Sequence, residues 1–115
     1  MSLPSYRYRA TVTRWIDGDT VDLAVDLGFT VRVAQRFRLD GLDTPEKGRP
    51  GATEARKFCE SAAPPGAEIT VESIKTDKYG RYLARIYTQN EPSTLNARLL
   101  GLGFAREYHG EAKPA

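Results

Sequence analysis

The sequence has one cysteine, Cys59, and one histidine, His109. A lone cysteine closes no internal disulfide, and one cysteine with one histidine builds no structural zinc site. Two-histidine metal sites are excluded on the same count, and catalysis by a distant cysteine–histidine pair nearly so. No window offers the ~18 consecutive apolar residues that a membrane span needs. Charge of one sign is also lacking: 17 lysines and arginines against 15 aspartates and glutamates leave +2. That balance permits a polyanionic partner without demanding one. Met1-Ser2-Leu3-Pro4 has neither a basic n-region nor an apolar h-region, so the expectation is an intracellular chain or one that begins after a removed segment. What remains for chemistry is carboxylate, arginine and lysine. With 115 residues, 40% hydrophobic and 28% charged, the chain has the make-up of one folded domain over 1–115, with loose ends at 1–5 and 109–115.

Alternation dominates the first third. Tyr6, Tyr8, Ala10 and Val12 fall on one face, and Val21, Leu23, Val25 and Leu27 on another, with the turn signal Asp17-Gly18-Asp19 between them. Phe29, Val31, Val33, Phe37 and Leu39 predict a third strand, bulged near Ala34-Gln35. Ala55, Phe58, Cys59 and Ala62 recur at helical spacing from about Ala52 to Ala63, stopped by Pro64-Pro65-Gly66. Ile69, Val71 and Ile74 make a fourth strand, and Tyr82, Ala84 and Ile86 a fifth. Ser93 or Thr94 caps a second helix bearing Leu95, Leu99 and Leu102. The order β-β-β-α-β-β-α matches an OB-fold: mainly β, a five-stranded Greek-key barrel with flanking helices.

Three loops carry the chemistry. Asp17-Gly18-Asp19-Thr20 is a hairpin turn by its strongest signal. It is no EF-hand, since Val21 and Leu23 stand where later ligands belong. Arg38-Leu39-Asp40-Gly41-Leu42-Asp43-Thr44-Pro45-Glu46 gathers an arginine and three carboxylates at a strand end. Pro45 restricts Thr44 to extended backbone and stiffens that loop. Hard cations take carboxylate and carbonyl oxygens, so Asp19 and Asp43 form a candidate metal pair wherever the two loops meet. Asp77-Lys78-Tyr79-Gly80-Arg81-Tyr82 adds a lysine, an arginine and aromatics. Guanidinium binds phosphate in a fork, and aromatic faces stack on bases. A metal, two arginines and a carboxylate that activates water suit phosphodiester cleavage.

Asp-Gly-Asp-Thr, then Arg38 with Asp43-Thr44-Pro45-Glu46, then Asp77-Lys78-Tyr79-Gly80-Arg81 resemble, in order, the motif set of the staphylococcal nuclease (thermonuclease) family. The resemblance runs from about Tyr6 to Tyr108. It implies the family's OB barrel and a Ca²⁺-dependent phosphodiesterase that cuts DNA and RNA to leave 3′-phosphates. It implies Asp19, Asp43 and the Thr44 carbonyl as calcium ligands, Asp17 as a supporting acid, and Glu46 as general base. It implies Arg38 and Arg81 on the scissile phosphate, Lys78 and Tyr79 on a terminal phosphate, and Tyr108 as a stacking residue. The loop after Glu46 is shorter than in secreted members, and the sequence ends soon after Tyr108, where those members continue into a third helix.

Two other readings stand beside the nuclease: a non-catalytic nucleic-acid-binding module, and a structural OB domain with a protein partner. The joint presence of Asp19, Asp43, Glu46, Arg38 and Arg81 favours the enzyme, acting as a monomer on nucleic acid and not on a membrane. Trp15 and Cys59 are expected in the core, Asp40 in a solvated turn, and His109 outside any site. Arg7, Arg9, Arg14, Arg32 and Arg36 make the first three strands basic.

Overall fold

A computed structural model of the protein describes residues 6–109. Alternating apolar residues form the strands β1 (Tyr6–Asp17), β2 (Thr20–Asp26) and β3 (Arg32–Leu39), which follow one another antiparallel. The two-residue strand β4 (Leu42–Asp43) precedes helix α1 (Ala52–Ala62). Strands β5 (Glu68–Thr76) and β6 (Tyr82–Tyr87) form a hairpin, and α2 (Leu95–Gly101) and β7 (Arg106–Glu107) complete the chain. The barrel closes in the order β1-β2-β3-β6-β5, with β3 and β6 parallel and β5 returning to β1. This is the expected OB-type barrel. Its interior is filled by residues such as Val21, Leu23, Leu39, Val71 and Ile86.

The helices cap this core. Ala52, Ala55 and Cys59 are the buried face of α1, and the Trp15 indole Nε1 donates to the Ala63 carbonyl at 2.9 Å, fastening the end of α1 to β1. Phe58 stacks on Phe104 from the segment after α2, with ring centroids 4.9 Å apart. Thr94 caps α2, its Oγ1 accepting from the Ala97 N–H at 3.0 Å. Asn96, buried on α2, is satisfied on both sides of its amide. It accepts from the Ile86 N–H and donates to the carbonyls of Ala84 and Asp40. That amide ties α2 and β6 to the start of the Asp40–Glu46 loop.

Three features differ from the sequence reading. The β2–β3 ladder runs without a register shift, so no bulge lies at Ala34-Gln35. The shifts fall in β1, between Val12 and Arg14 and between Trp15 and Asp17, and in β5 between Ser73 and Lys75. These strands each pair with two neighbours around the closing side of the barrel, where the sheet must coil most. Phe29 and Val31 precede the third strand: Phe29 and Thr30 turn with φ of 54° and 60°, and Phe29 is 97% exposed. The alternation there continues past the region the barrel covers. The β4–β7 ladder was not expected at all. The ends at 1–5 and 110–115 lie outside the described residues.

Candidate active site

The Asp17–Asp19 loop is held by its own side chain. Asp17 Oδ1 accepts from the Asp19 N–H at 3.2 Å, the local bond that favours aspartate in such turns. Gly18 is required by crowding. A Cβ there would stand 2.7 Å from Ala55 Cβ and 3.0 Å from Thr44 Cγ2. Cys59 Sγ donates to the Gly18 carbonyl at 3.4 Å, so α1 presses directly on this loop. Burial pushes the Cys59 thiol up to about 12, which keeps it an inert packing group as expected. Gly18→Ala is expected to cost about 1–3 kcal/mol through overpacking. Thermal or denaturant unfolding checks this, and an unchanged midpoint would mean that α1 yields at no cost.

The register Thr20↔Arg38 sets Arg38 beside the end of the first loop, and the second loop folds back over it. Asp19 and Asp43 are both buried, and both face one guanidinium. Arg38 Nη2 lies 2.8 Å from Asp43 Oδ1, and Arg38 Nη1 lies 3.6 Å from Asp19 Oδ2. The Thr44 N–H donates to Asp19 Oδ2 at 3.1 Å, and the Thr20 hydroxyl to Asp19 Oδ1 at 3.0 Å. Burial first, and then Asp17, push the Asp19 carboxyl above its ordinary value, with Arg38 and the Thr44 N–H pulling only part of the way back. Burial works against the charge on Arg38 too, but Asp19 and Asp43 outweigh it and its pKa ends higher than usual.

This donor set suits a hard cation. Asp19, Asp43 and Thr44 offer only oxygen, and the buried Thr44 hydroxyl has no hydrogen-bond partner. Among the described residues no three of His, Cys, Asp and Glu gather around one point, so a cation here would draw on backbone carbonyl and water for the rest of its shell.

Beside the two acids opens a cleft of about 260 Å³, lined among others by Arg38, Lys78, Tyr79, Arg81 and Tyr108. Asp77 organises one wall. Its Oδ1 accepts from the N–H groups of Tyr79 and Arg81, and its Oδ2 accepts from Arg81 Nε at 2.7 Å. These bonds overcome the opposing effect of burial and lower the Asp77 pKa. The Arg81 and Lys78 cations stand over the Tyr79 ring, each 5.3 Å from its centroid. On the other wall Arg38 stands 5.4 Å from the Tyr108 centroid. Tyr108 is fixed by its N–H, which donates to the Gly41 carbonyl at 3.0 Å.

Of the residues chosen from sequence, then, Asp19, Asp43, Thr44 and Arg38 meet, with Asp17 bracing them. Arg38, Lys78, Tyr79, Arg81 and Tyr108 surround one cleft. Glu46 is not part of its lining: it is exposed, in the turn closed by the Arg49 N–H on the Glu46 carbonyl at 2.9 Å. Asp40 and His109 do line the cleft, and Arg106 reaches Asp43; from sequence Asp40 is an extra acid near the site expected in a solvated turn, His109 is expected outside any site, and Arg106 has no signal. The basic strand faces are partly neutralised. Arg14 and Arg36 both bind Asp22, and Arg7 reaches Glu72.

Residues 36–115 match the model of the staphylococcal nuclease homologue family, which covers both the Arg38–Glu46 loop and the Asp77–Arg81 turn. The chain belongs to that family. It is similar to the micrococcal nuclease of Shigella flexneri, with 30% identity over 122 residues, 99% of this chain and 67% of that protein. It is similar to Protein ParB of Escherichia coli, with 32% identity over 113 residues, 90% of this chain and 60% of that one. A protein named as an uncharacterized endonuclease of Escherichia coli is 33% identical over 76 residues, 66% of this chain and 46% of that one. The chain thus spans from about half to two thirds of the family relatives it matches.

Proposed function

We propose that the chain is a calcium-dependent nuclease that hydrolyses DNA and RNA and leaves 3′-phosphate ends. The observation that carries this is the shared guanidinium of Arg38, which joins a buried all-oxygen acid pair to a cleft walled by arginine, lysine and tyrosine. Asp19, Asp43 and the Thr44 carbonyl hold the ion, with Asp17 supporting Asp19. Bound calcium supplies a positive charge for a non-bridging phosphate oxygen. Arg38 and Arg81 share the charge that develops on the phosphate in line with the attacking water. Glu46 takes that water's proton. Lys78 and Tyr79 bind a neighbouring phosphate, and Tyr108 offers a face on which a base stacks.

Two variants of this reading separate in one assay. Purified protein is given single-stranded and duplex DNA and RNA in calcium, in magnesium and in chelator. Cleavage in calcium that stops in chelator supports the nuclease. Salt-sensitive binding without cleavage supports a non-catalytic module. Arg81→Lys is expected to lower kcat/KM about 10²-fold, because lysine cannot keep the Nε bond to Asp77 and also present a planar fork. Steady-state kinetics check this. An unchanged rate would return Arg81 to the role of a salt-bridge partner of Asp77.

A further inference from the structure

Arg106 lies outside the three motif loops, yet it reaches the acid pair. Its backbone pairs with Asp43 in the β4–β7 ladder, and its Nη2 lies 3.4 Å from Asp43 Oδ2. Arg38 holds the other oxygen of the same carboxylate at 2.8 Å. Arg106 also shares the Tyr108 ring with Arg38, at 6.0 Å and 5.4 Å from its centroid. The two arginines differ in setting: the Arg38 side chain is 11% exposed and the Arg106 side chain 47%. Arg38 is built into the site, whereas Arg106 stands at its rim with room to move. With its cationic end half-exposed and 3.4 Å between the atoms, this is the looser of the two pairs on Asp43, and its guanidinium is the one placed to exchange that carboxylate for another anion.

We propose that Arg106 is a phosphate-binding residue that alternates between two anions: Asp43 when that carboxylate lacks a divalent cation, and a nucleic-acid backbone phosphate when Asp43 is engaged by one. This rests on the assignment of Asp43 as a metal ligand. On Asp43 the guanidinium competes with a cation for the same oxygen. Once displaced it lies beside Tyr108 at the cleft mouth, where a base stacked on that ring brings its own phosphate alongside. Metal binding and substrate binding are thereby coupled through one side chain.

The coupling predicts opposite effects that a merely structural role does not give. Arg106→Ala should tighten calcium binding, up to about five-fold in Kd by calorimetry without nucleic acid, since a competing cation is gone. The same substitution should weaken binding of a single-stranded DNA oligonucleotide in calcium, read by fluorescence anisotropy in a Glu46→Gln background, where cleavage is slowed enough for binding to be read first. There the slope of log K against log salt should fall by about 0.7, the share of one phosphate on a single strand. In chelator the slope should be the same with and without Arg106. Arg106→Lys should restore the slope, because it keeps the charge. Calcium affinity that is unchanged or weaker in Arg106→Ala overturns the proposal, as does an equal slope in calcium. If the parent protein itself binds no calcium, the metal assignment of Asp43 falls and this proposal with it. If the parent binds calcium but the variants show no opposite shifts, only the role of Arg106 is lost.

Discussion

Arg38→Ala is expected to destabilise the cation-free protein by about 3–5 kcal/mol, the cost of removing one partner from a buried ion pair. Asp19 would then lose its guanidinium and Asp43 the nearer of its two, Arg106 remaining at 3.4 Å, with the two acids only 4% and 7% exposed. A domain of this size has only about 5–15 kcal/mol to lose, so the variant sits close to unfolding. Calcium should recover part of the loss, because it supplies the missing positive charge. Acid should recover part as well. Asp19 already has a raised pKa in the folded parent, so its ionisation opposes folding. That opposition is absent below the unfolded-state value and grows as pH rises through the folded value. The deficit of Arg38→Ala relative to the parent should therefore narrow as pH falls. Measuring it as a difference cancels the opposite trend from Asp22 and Asp77, whose pKa values are lowered. Urea titrations in chelator, in calcium and across pH 4–8 (about the range between carboxylate protonation and neutrality) check this. Equal stability of parent and variant in chelator would mean that the two carboxylates do not depend on Arg38.

Glu46→Gln is expected to lower kcat about 10²–10⁴-fold, the usual worth of a general base, while KM and calcium affinity stay near the parent's. The amide keeps the shape of the side chain and removes its negative charge, and with that its ability to take a proton. Glu46 is exposed in a turn three residues beyond Asp43, so the substitution creates no cavity in the core. An unfolding midpoint and a calcium titration, measured beside the kinetics in calcium, separate loss of folding from loss of chemistry. A full rate in a variant that binds calcium normally would remove Glu46 from the reaction.

The barrel was legible because alternation and turn residues name strands, and because their order admits few topologies. Adjacent strands of a meander allow the loops of Asp19 and Asp43 to lie together, and the register Thr20↔Arg38 brings both acids to one guanidinium. The Asp77–Arg81 turn joined them through the parallel β3–β6 pairing, where Arg38 is opposite Leu83. Other parts had no signal to read. Two-residue strands have no period, so the β4–β7 ladder was hidden, and with it Arg106 and the fastening of Tyr108 to Gly41. Gly18 looked like a turn glycine, but its reason is the approach of Ala55 and Thr44. Phe29, Val31 and Val33 alternate like a core strand, yet they are 97%, 48% and 39% exposed. Periodicity tells which residues share a face and not whether anything covers it.

The most direct measurement is the end-group chemistry of cleavage. A single-stranded DNA carrying a 5′ fluorophore is incubated with the protein in calcium and in chelator, and the products are run before and after phosphatase treatment. The expected result is a ladder in calcium alone whose bands shift on phosphatase treatment, the mark of 3′-phosphate ends. No ladder in calcium, or products that carry 3′-hydroxyl ends, would contradict it.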